Sequence, residues 1–139
     1  WRTNLTSWNN TIVQKGHQVA ILKLDDFSKR LKSLYEEKGL IEKNLTIAPM
    51  FYVWSRGSYI PFHTDNHMKE ASTIYLNDLW DPDEGGLFLW KDQKNKLHVE
   101  APEENKMIFN SSSVPHAVSM ITPDSSSLRL SIQIFFTND

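Results

Sequence analysis

The chain has 139 residues, no cysteine and a formal net charge of −2. A chain of this length is expected to fold as one domain, residues 1–139, which buries roughly two-thirds of its extended surface without disulfides. The lack of cysteine excludes thiolate catalysis, cysteine-based zinc sites and iron–sulfur clusters. The charge gives no support for nucleic acid or a membrane as a partner. The absence of a long apolar run and of a signal-peptide pattern predicts a soluble, cytoplasmic protein.

The first predicted element is a helix that ends at Gly39, with Asp25 or Asp26 as its N-cap. Apolar side chains recur at helical spacing along it and predict one buried face: Phe27, Leu31, Leu34 and Tyr35. We expect this helix to lie across the outside of the core. It belongs to a helical amino-terminal part, residues 1–44, in which a further helix or an irregular arm comes first.

From Leu45 onward the pattern changes to short β-branched and aromatic runs that are separated by turn residues. The breaks have sequences typical of turns: DPDEGG, APEEN and TPDSSS. About eight strands at short intervals indicate an antiparallel sandwich or jelly roll. The prediction is a mainly β domain with its core over residues 45–137 and the helix as an added layer.

The stretch SYIPFHTDNH, residues 58–67, places ionisable side chains at the end of an apolar strand. His63 and Asp65 are two residues apart, so in a strand they face the same side and could act as a pair of metal ligands. Alone, this three-residue pattern is a weak signal, and a simple His–Asp hydrogen bond on a solvated face is the favoured interpretation. His67 has the same phase, but at about 3.3 Å per residue it lies roughly 13 Å from His63. A third ligand is therefore expected from another strand.

His116 is the candidate for that ligand because it opens the apolar run PHAVSMI, where a buried imidazole needs a partner. The alternative is a core histidine bonded to the backbone. His17 lies in the amino-terminal arm, and His98 follows the polar KNK turn, where exposed histidines are expected. Two histidines and one carboxylate form the facial triad of non-haem Fe(II) oxygenases, although a zinc hydrolase could use the same ligands.

Arg129 lies in an apolar strand, where an inward-facing arginine needs an anion. Ser131 is on the same face, and the two side chains together offer a guanidinium fork and a hydroxyl to a carboxylate. The alternatives are a salt bridge at the end of the barrel or a side chain that extends to water. A metal chelator with a distant second carboxylate fits this geometry, and 2-oxoglutarate is such a molecule.

The spaced set H-T-D, His116 and R-L-S resembles the H-x-D…H…R-x-S signature of Fe(II)/2-oxoglutarate dioxygenases. The block TIYLNDLWDPDEGGLFLW is similar to the Y-L-N…W…G-G-x-L block of the prolyl 4-hydroxylase branch, and the resemblance covers residues 47–137. It implies a double-stranded β-helix core in which His63, Asp65 and His116 bind Fe(II). It also implies 2-oxoglutarate and O₂ as co-substrates, and it allows for ascorbate as a reductant.

The resemblance assigns further roles around this centre. Tyr75 matches a tyrosine that bonds the carboxylate held by Arg129, and Tyr52 roughly matches an aromatic residue near the co-substrate, with Tyr59 or Trp54 as alternatives. Gly85 and Gly86 are expected to serve backbone geometry alone. The side chains expected to contact the substrate are Tyr59, Asn66, His67 and Trp90.

The function that follows is hydroxylation of a prolyl residue in a peptide or protein, coupled to oxidative decarboxylation of 2-oxoglutarate. One alternative is a hydroxylase of a small molecule such as a free amino acid, and another is a cupin-like barrel that binds a metal or a sugar without turnover. Collagen-type prolyl hydroxylases use Lys where this chain has Arg129. Nucleic-acid demethylases carry a second Arg where this chain has Phe135, so neither of those two activities is favoured.

Overall fold

The computed structural model describes residues 2–3, 19–23, 25–42 and 44–138, with side chains from residue 27 onward. The elements in these residues are β1 (Arg2–Thr3), β2 (Val19–Lys23), α1 (Asp25–Glu37), β3 (Leu45–Trp54), β4 (Ile60–His63), β5 (Glu70–Tyr75), β6 (Phe88–Lys91), β7 (Leu97–Glu100), β8 (Met107–Ser111), β9 (His116–Val118) and β10 (Arg129–Asn138). A 3-10 turn at Pro82–Glu84 precedes β6.

The strands form two antiparallel sheets. The large sheet has the order β1-β2-β3-β10-β5-β8, and the small sheet has the order β4-β9-β6-β7. Buried side chains of β3 in the large sheet pack against those of β4 and β9 in the small one: Tyr52, Trp54, Ile60 and Val118. This arrangement confirms the predicted double-stranded β-helix, in which two facing sheets enclose a core.

The central strand β10 divides its side chains between two environments. It pairs with β3 on one side and β5 on the other, and Ser131 lies directly opposite both Tyr52 and Tyr75. Alternate residues of a strand point to opposite faces. Arg129, Ser131, Gln133 and Phe135 therefore face the small sheet, whereas Ile132, Ile134 and Phe136 face the helix.

Helix α1 covers the outer face of the large sheet, as the sequence predicts. Leu31 and Tyr35 are buried against the even-numbered residues of β10, and the Tyr35 ring stacks on Phe136 at 5.9 Å between centroids. The buried face is narrower than predicted, because Phe27 and Leu34 are 40% and 47% exposed. The side chains of Asp25 and Asp26, the predicted N-caps, lie outside the described residues.

Helix α1 ends just before Gly39, as predicted, and it ends there for the expected reason, the conformational freedom of glycine. Gly39 has a φ of 67°, and the Leu40 N–H donates to the Tyr35 carbonyl oxygen at 2.9 Å. This is the hydrogen-bond pattern of a Schellman motif, in which glycine takes the left-handed conformation at little cost.

The amino-terminal part is not entirely helical. Val19–Lys23 forms strand β2, which pairs with β3 and extends the large sheet. Without β2, the backbone groups along that side of β3 would form an open sheet edge, which offers a ready template for a further strand. The predicted arm over residues 4–18 lies outside the described residues.

Candidate active site

His63 and His116 form a cross-strand pair in the small sheet, at the end of β4 and the start of β9. Their ring centroids are 4.3 Å apart. The Nδ1 atom of His63 is 2.9 Å from the Pro61 carbonyl oxygen, and that of His116 is 2.8 Å from the Val114 carbonyl oxygen. A neutral imidazole that donates Nδ1–H to a carbonyl presents the Nε2 lone pair to a metal.

Asp65 brings a carboxylate to the same two nitrogens. Its Oδ1 atom is 3.7 Å from His63 Nε2, and its Oδ2 atom is 3.4 Å from His116 Nε2. One ligand atom from each of the three residues lies within 4.8 Å of the others. The Asp65 backbone N–H donates to the Ser112 carbonyl oxygen at 3.0 Å, which holds the Asp65 backbone beside the residue that follows β8. The structure therefore brings together all three predicted metal ligands.

The electrostatics of these three residues suit a divalent cation. Burial, together with repulsion from His116, lowers the pKa of His63. Burial alone would raise the pKa of Asp65, but its hydrogen bond with His116 and the neighbouring histidine charges lower it overall. Asp65 is 1% exposed, and its Oδ1 atom has no hydrogen-bond partner among the described residues. A buried carboxylate oxygen without a donor needs a cation, and two imidazoles with one carboxylate are a ligand set for Fe(II).

The three ligands open into a cavity between the sheets, and Arg129 lies in its wall. Arg129 is 1% exposed, and its guanidinium lies over the rings of Trp54 and Tyr75 at 5.2 and 5.0 Å from their centroids. Burial lowers the pKa of Arg129 and raises that of Tyr75, and the attraction between the two groups partly offsets both shifts. In the described part of the chain, neither Arg129 Nε nor the Tyr75 hydroxyl has a partner in hydrogen-bond geometry. A buried cation with an unused donor is stabilised by an anion.

Ser131 and Tyr52 complete this face of the large sheet. Both are buried, and Ser131 lies between Tyr52 and Tyr75 in the register of the three central strands. Burial and the Asp65 carboxylate raise the pKa of Tyr52 to about 12, so its hydroxyl stays protonated at neutral pH. The four residues predicted to hold the co-substrate thus share one face, which continues from Arg129 toward the three metal ligands.

Gly86 does more than the sequence indicates, because it makes room for Arg129. A Cβ atom at Gly86 would lie 2.8 Å from Arg129 Cδ, 3.2 Å from Ile121 Cγ1 and 3.3 Å from Trp80 Cζ2. In known structures, a Cβ atom essentially never comes closer than 3.0 Å to a non-bonded heavy atom. Gly85 and Gly86 both have a positive φ, as backbone geometry requires, and Gly86 in addition leaves room for the aliphatic stem of Arg129.

The four residues predicted to contact the substrate are placed differently from one another. Asn66 and His67 are exposed beside Asp65, and His67 is close enough to contribute to the lowered pKa of Asp65. Tyr59 is half-buried and is not among the residues that line the metal cavity. Trp90 lies directly opposite His116 in the sheet and lines a second groove, which shares Phe88 and Asn110 with the metal cavity.

Three polar residues in the cavity wall were not singled out from the sequence: Thr73, Asn110 and Gln133. For Thr73 and Gln133, the alternation of side chains along a strand is the sequence feature that could have identified them. Thr73 is two residues before Tyr75, and Gln133 is two residues after Ser131, so each shares a face with a predicted co-substrate residue.

Residues 48–137 match the model of the family described as the 2OG-Fe(II) oxygenase superfamily. The chain belongs to this superfamily. Membership accounts for the buried ligand triad, because a 2OG-Fe(II) oxygenase binds Fe(II), 2-oxoglutarate and O₂. Curated protein sequences contain no significant match to the chain.

Solved structures of other 2OG-Fe(II) oxygenases have a similar fold. A prolyl-4-hydroxylase from Pseudomonas putida aligns with a TM-score of 0.72 and 20% identity, over 96% of this chain and 77% of that one. A prolyl hydroxylase from Trichoplax adhaerens, solved with a peptide fragment of the hypoxia inducible factor oxygen degradation domain, gives 0.74 and 20%, over 98% and 70%. A 2OG-Fe(II) oxygenase family oxidoreductase from Burkholderia pseudomallei gives 0.68 and 18%, over 87% and 67%. At these identities the likeness establishes the fold.

In the part of the chain that the structure describes, no helix is long and apolar enough to cross a membrane.

Proposed function

We propose that the protein is an Fe(II)- and 2-oxoglutarate-dependent hydroxylase of prolyl residues in a peptide or protein. The observation that carries this proposal is a single buried surface with unmet charge at both ends. Asp65 Oδ1 lacks a donor at one end, and Arg129 Nε lacks an acceptor at the other. A molecule that chelates a metal and carries a second carboxylate would satisfy both ends.

The residues present fit these groups. His63, Asp65 and His116 would hold Fe(II), and Arg129, Ser131, Tyr75 and Tyr52 would hold 2-oxoglutarate. When bound, Fe(II) with 2-oxoglutarate and O₂ supplies the oxidation of a C–H bond to C–OH, with succinate and CO₂ as the other products. Ascorbate is proposed as a reductant that keeps the metal in the Fe(II) state.

The protein contributes position and exclusion of water. The carbonyls of Pro61 and Val114 hold both imidazoles in the orientation that a metal needs. Beside the polar Thr73, Asn110 and Gln133, the cavity wall contains four aromatic or aliphatic residues: Trp54, Phe88, Val118 and Phe135. Apolar groups in the wall displace water, which strengthens the contacts of Arg129 with a carboxylate and protects a reactive centre from side reactions.

A peptide substrate is supported by the rim of the cavity. Asn66 and His67 are exposed at its edge beside Asp65, and Trp90 lies next to His116 in the groove that adjoins the cavity. An exposed rim can accept a peptide loop, whereas a free amino acid needs a more closed pocket. The Trichoplax adhaerens protein of the same fold was solved with a peptide.

The test is an anaerobic titration with Fe(II) and 2-oxoglutarate, followed by oxygen, ascorbate and a panel of proline-containing peptides. Succinate release together with a mass gain of one oxygen atom on a prolyl residue is the expected result. Turnover only with free amino acids would favour the small-molecule hydroxylase. Metal binding without succinate from any substrate would favour a non-catalytic barrel.

A further inference from the structure

Asn110 presents an unused hydrogen-bond donor to the metal cavity. Its side chain lines the cavity on β8, it is 8% exposed, and its Nδ2 atom has no hydrogen-bond partner among the described residues. Nearly all buried polar groups in proteins are paired, because an unpaired one loses its water without compensation. An apolar residue at this position would form the same part of the cavity wall without the free-energy cost of a buried, unpaired amide. The amide therefore points to a ligand.

The other two polar residues of the cavity wall, Thr73 and Gln133, are less available to a ligand because they bond each other. Thr73 and Gln133 are directly opposite in the register of β5 and β10, and the Thr73 hydroxyl donates to Gln133 Oε1 at 2.6 Å. That hydrogen bond occupies the carbonyl end of Gln133. The pair therefore already satisfies part of its own polar groups, whereas the amide nitrogen of Asn110 is buried with none.

The position of Asn110 indicates which part of a bound molecule it would meet. Asn110 is opposite Ala71, and Ala71 is opposite Phe135, six residues along β10 from Arg129. Arg129 and Asn110 line the same cavity, and this register places them toward its opposite ends. Ser112, two residues after Asn110, accepts the hydrogen bond from the Asp65 N–H. Asn110 therefore lies on the metal side of the cavity and far from the site for the distal carboxylate.

We propose that Asn110 is a positioning residue whose Nδ2 donates a hydrogen bond to a carboxylate or carbonyl oxygen of the molecule bound against His63, Asp65 and His116. This inference rests on the proposed function. Two molecules carry that chemistry: the metal-proximal end of 2-oxoglutarate, and a backbone carbonyl of the substrate peptide. In either case the contact would fix the orientation of a bound molecule at the metal.

The first measurement is the melting temperature of the metal-free protein. Asn110→Leu replaces the amide with an apolar group of similar size, and we expect the melting temperature to rise by about 3 °C because a buried unpaired amide is removed. Ser113→Ala, at an exposed position after β8, is the control and should leave it unchanged. A purely structural role for Asn110 predicts the opposite result, a lower melting temperature for Asn110→Leu.

The second measurement is binding by anaerobic calorimetry with Fe(II) and 2-oxoglutarate, and then with the peptide that the wild type hydroxylates. Asn110→Leu and the isosteric Asn110→Asp both remove the Nδ2 donor, and Asn110→Leu should keep its Fe(II) affinity. Each should lose about tenfold in affinity for one of the two molecules, the loss expected for one hydrogen bond to a charged or carbonyl oxygen. Weaker 2-oxoglutarate binding identifies the co-substrate as the acceptor. Weaker peptide binding alone identifies the substrate.

The inference is wrong if both variants bind 2-oxoglutarate and peptide as the wild type does, or if Asn110→Leu lowers the melting temperature. The proposed function would stand in those cases, because it depends on binding by the wild type. If the wild type with Fe(II) does not bind 2-oxoglutarate, the proposed function is wrong, and the inference about Asn110 is wrong with it.

Discussion

His63 and His116 face each other across β4 and β9, and each ring is held by the carbonyl oxygen of the residue two positions earlier in the chain. Two separate strands thus use the same local contact to orient a metal ligand. Because both contacts are with the backbone, they do not depend on a metal. The two imidazoles are therefore oriented before any ion arrives.

Replacement of a ligand should abolish tight metal binding. His63→Ala, Asp65→Ala and His116→Ala each remove one of three donors, so stoichiometric Fe(II) binding measured by anaerobic calorimetry should be lost. His98→Ala is the matched control, because His98 lies partly exposed in β7 and pairs with Asp92 at 3.0 Å. Full affinity in the Asp65 variant, or an equal loss in the His98 variant, would place the metal elsewhere.

Metal binding should also stabilise the fold. A ligand that binds only the native state at a hundred times its Kd adds about 2.7 kcal/mol to the free energy of unfolding. We therefore expect thermal unfolding of the wild type to shift upward with Fe(II) or Mn(II) under argon and to return to its starting value with a chelator. The Asp65→Ala protein should show no such shift. A shift of equal size in that variant would contradict the assignment of the ligands.

Removal of the buried guanidinium should weaken the binding of 2-oxoglutarate and leave metal binding intact. Truncation of one partner of a buried charge pair costs about 2 to 5 kcal/mol, so Arg129→Ala should raise the Kd for 2-oxoglutarate by well over tenfold. Arg129→Lys keeps the charge without the planar fork and should show a smaller loss. Unchanged affinity in Arg129→Ala, measured by calorimetry with the metal present, would exclude Arg129 as the carboxylate anchor.

Gly86→Ala should displace the Arg129 side chain, although the two residues are far apart in the sequence. Its Cβ atom would crowd Arg129 Cδ at 2.8 Å, on a backbone with a φ of +64°. We expect lower stability to urea, by about 1 to 3 kcal/mol, and weaker 2-oxoglutarate binding. Gly39→Ala is the control, since Gly39 has a φ of +67° but nothing within 4 Å of a new Cβ. Comparable loss of 2-oxoglutarate binding in both variants would show that backbone strain, and not contact with Arg129, is the cause.

Tyr35 provides a test that separates stability from the site. Its ring stacks on Phe136, and its hydroxyl lies 3.1 Å from Met107 Sδ, all on the helix side of the large sheet. Tyr35→Ala should cost about 3 to 5 kcal/mol of unfolding free energy, as other large-to-small aromatic substitutions do. In protein that remains folded, the Kd values for Fe(II) and 2-oxoglutarate should stay unchanged. A loss of metal binding by the folded variant would mean that the two faces of the sheet are coupled.

The fold class and the ligand triad could be predicted because both depend on short-range patterns. Short alternating runs predict an antiparallel β domain, and the spacing of His63 and Asp65 puts them on one face of a strand. The contact between Gly86 and Arg129 could not be predicted, because it joins segments that meet only through the packing of two sheets. For Asn110, alternation indicates a face but does not reveal that this face borders a metal cavity. Strand β2 was missed because its pairing depends on the open side of β3.

Side chains alternate along β10, so the position of each residue in the strand decides which face of the sheet it occupies. Arg129, Ser131 and Gln133 face the cavity, and the residues between them face the helix. Insertion or deletion of a single residue here would exchange the two sets, so that aliphatic groups would replace the guanidinium and the guanidinium would enter the apolar layer under α1. A substitution in β10 changes the contacts of one side chain, whereas a change in its length changes the environment of every residue that follows.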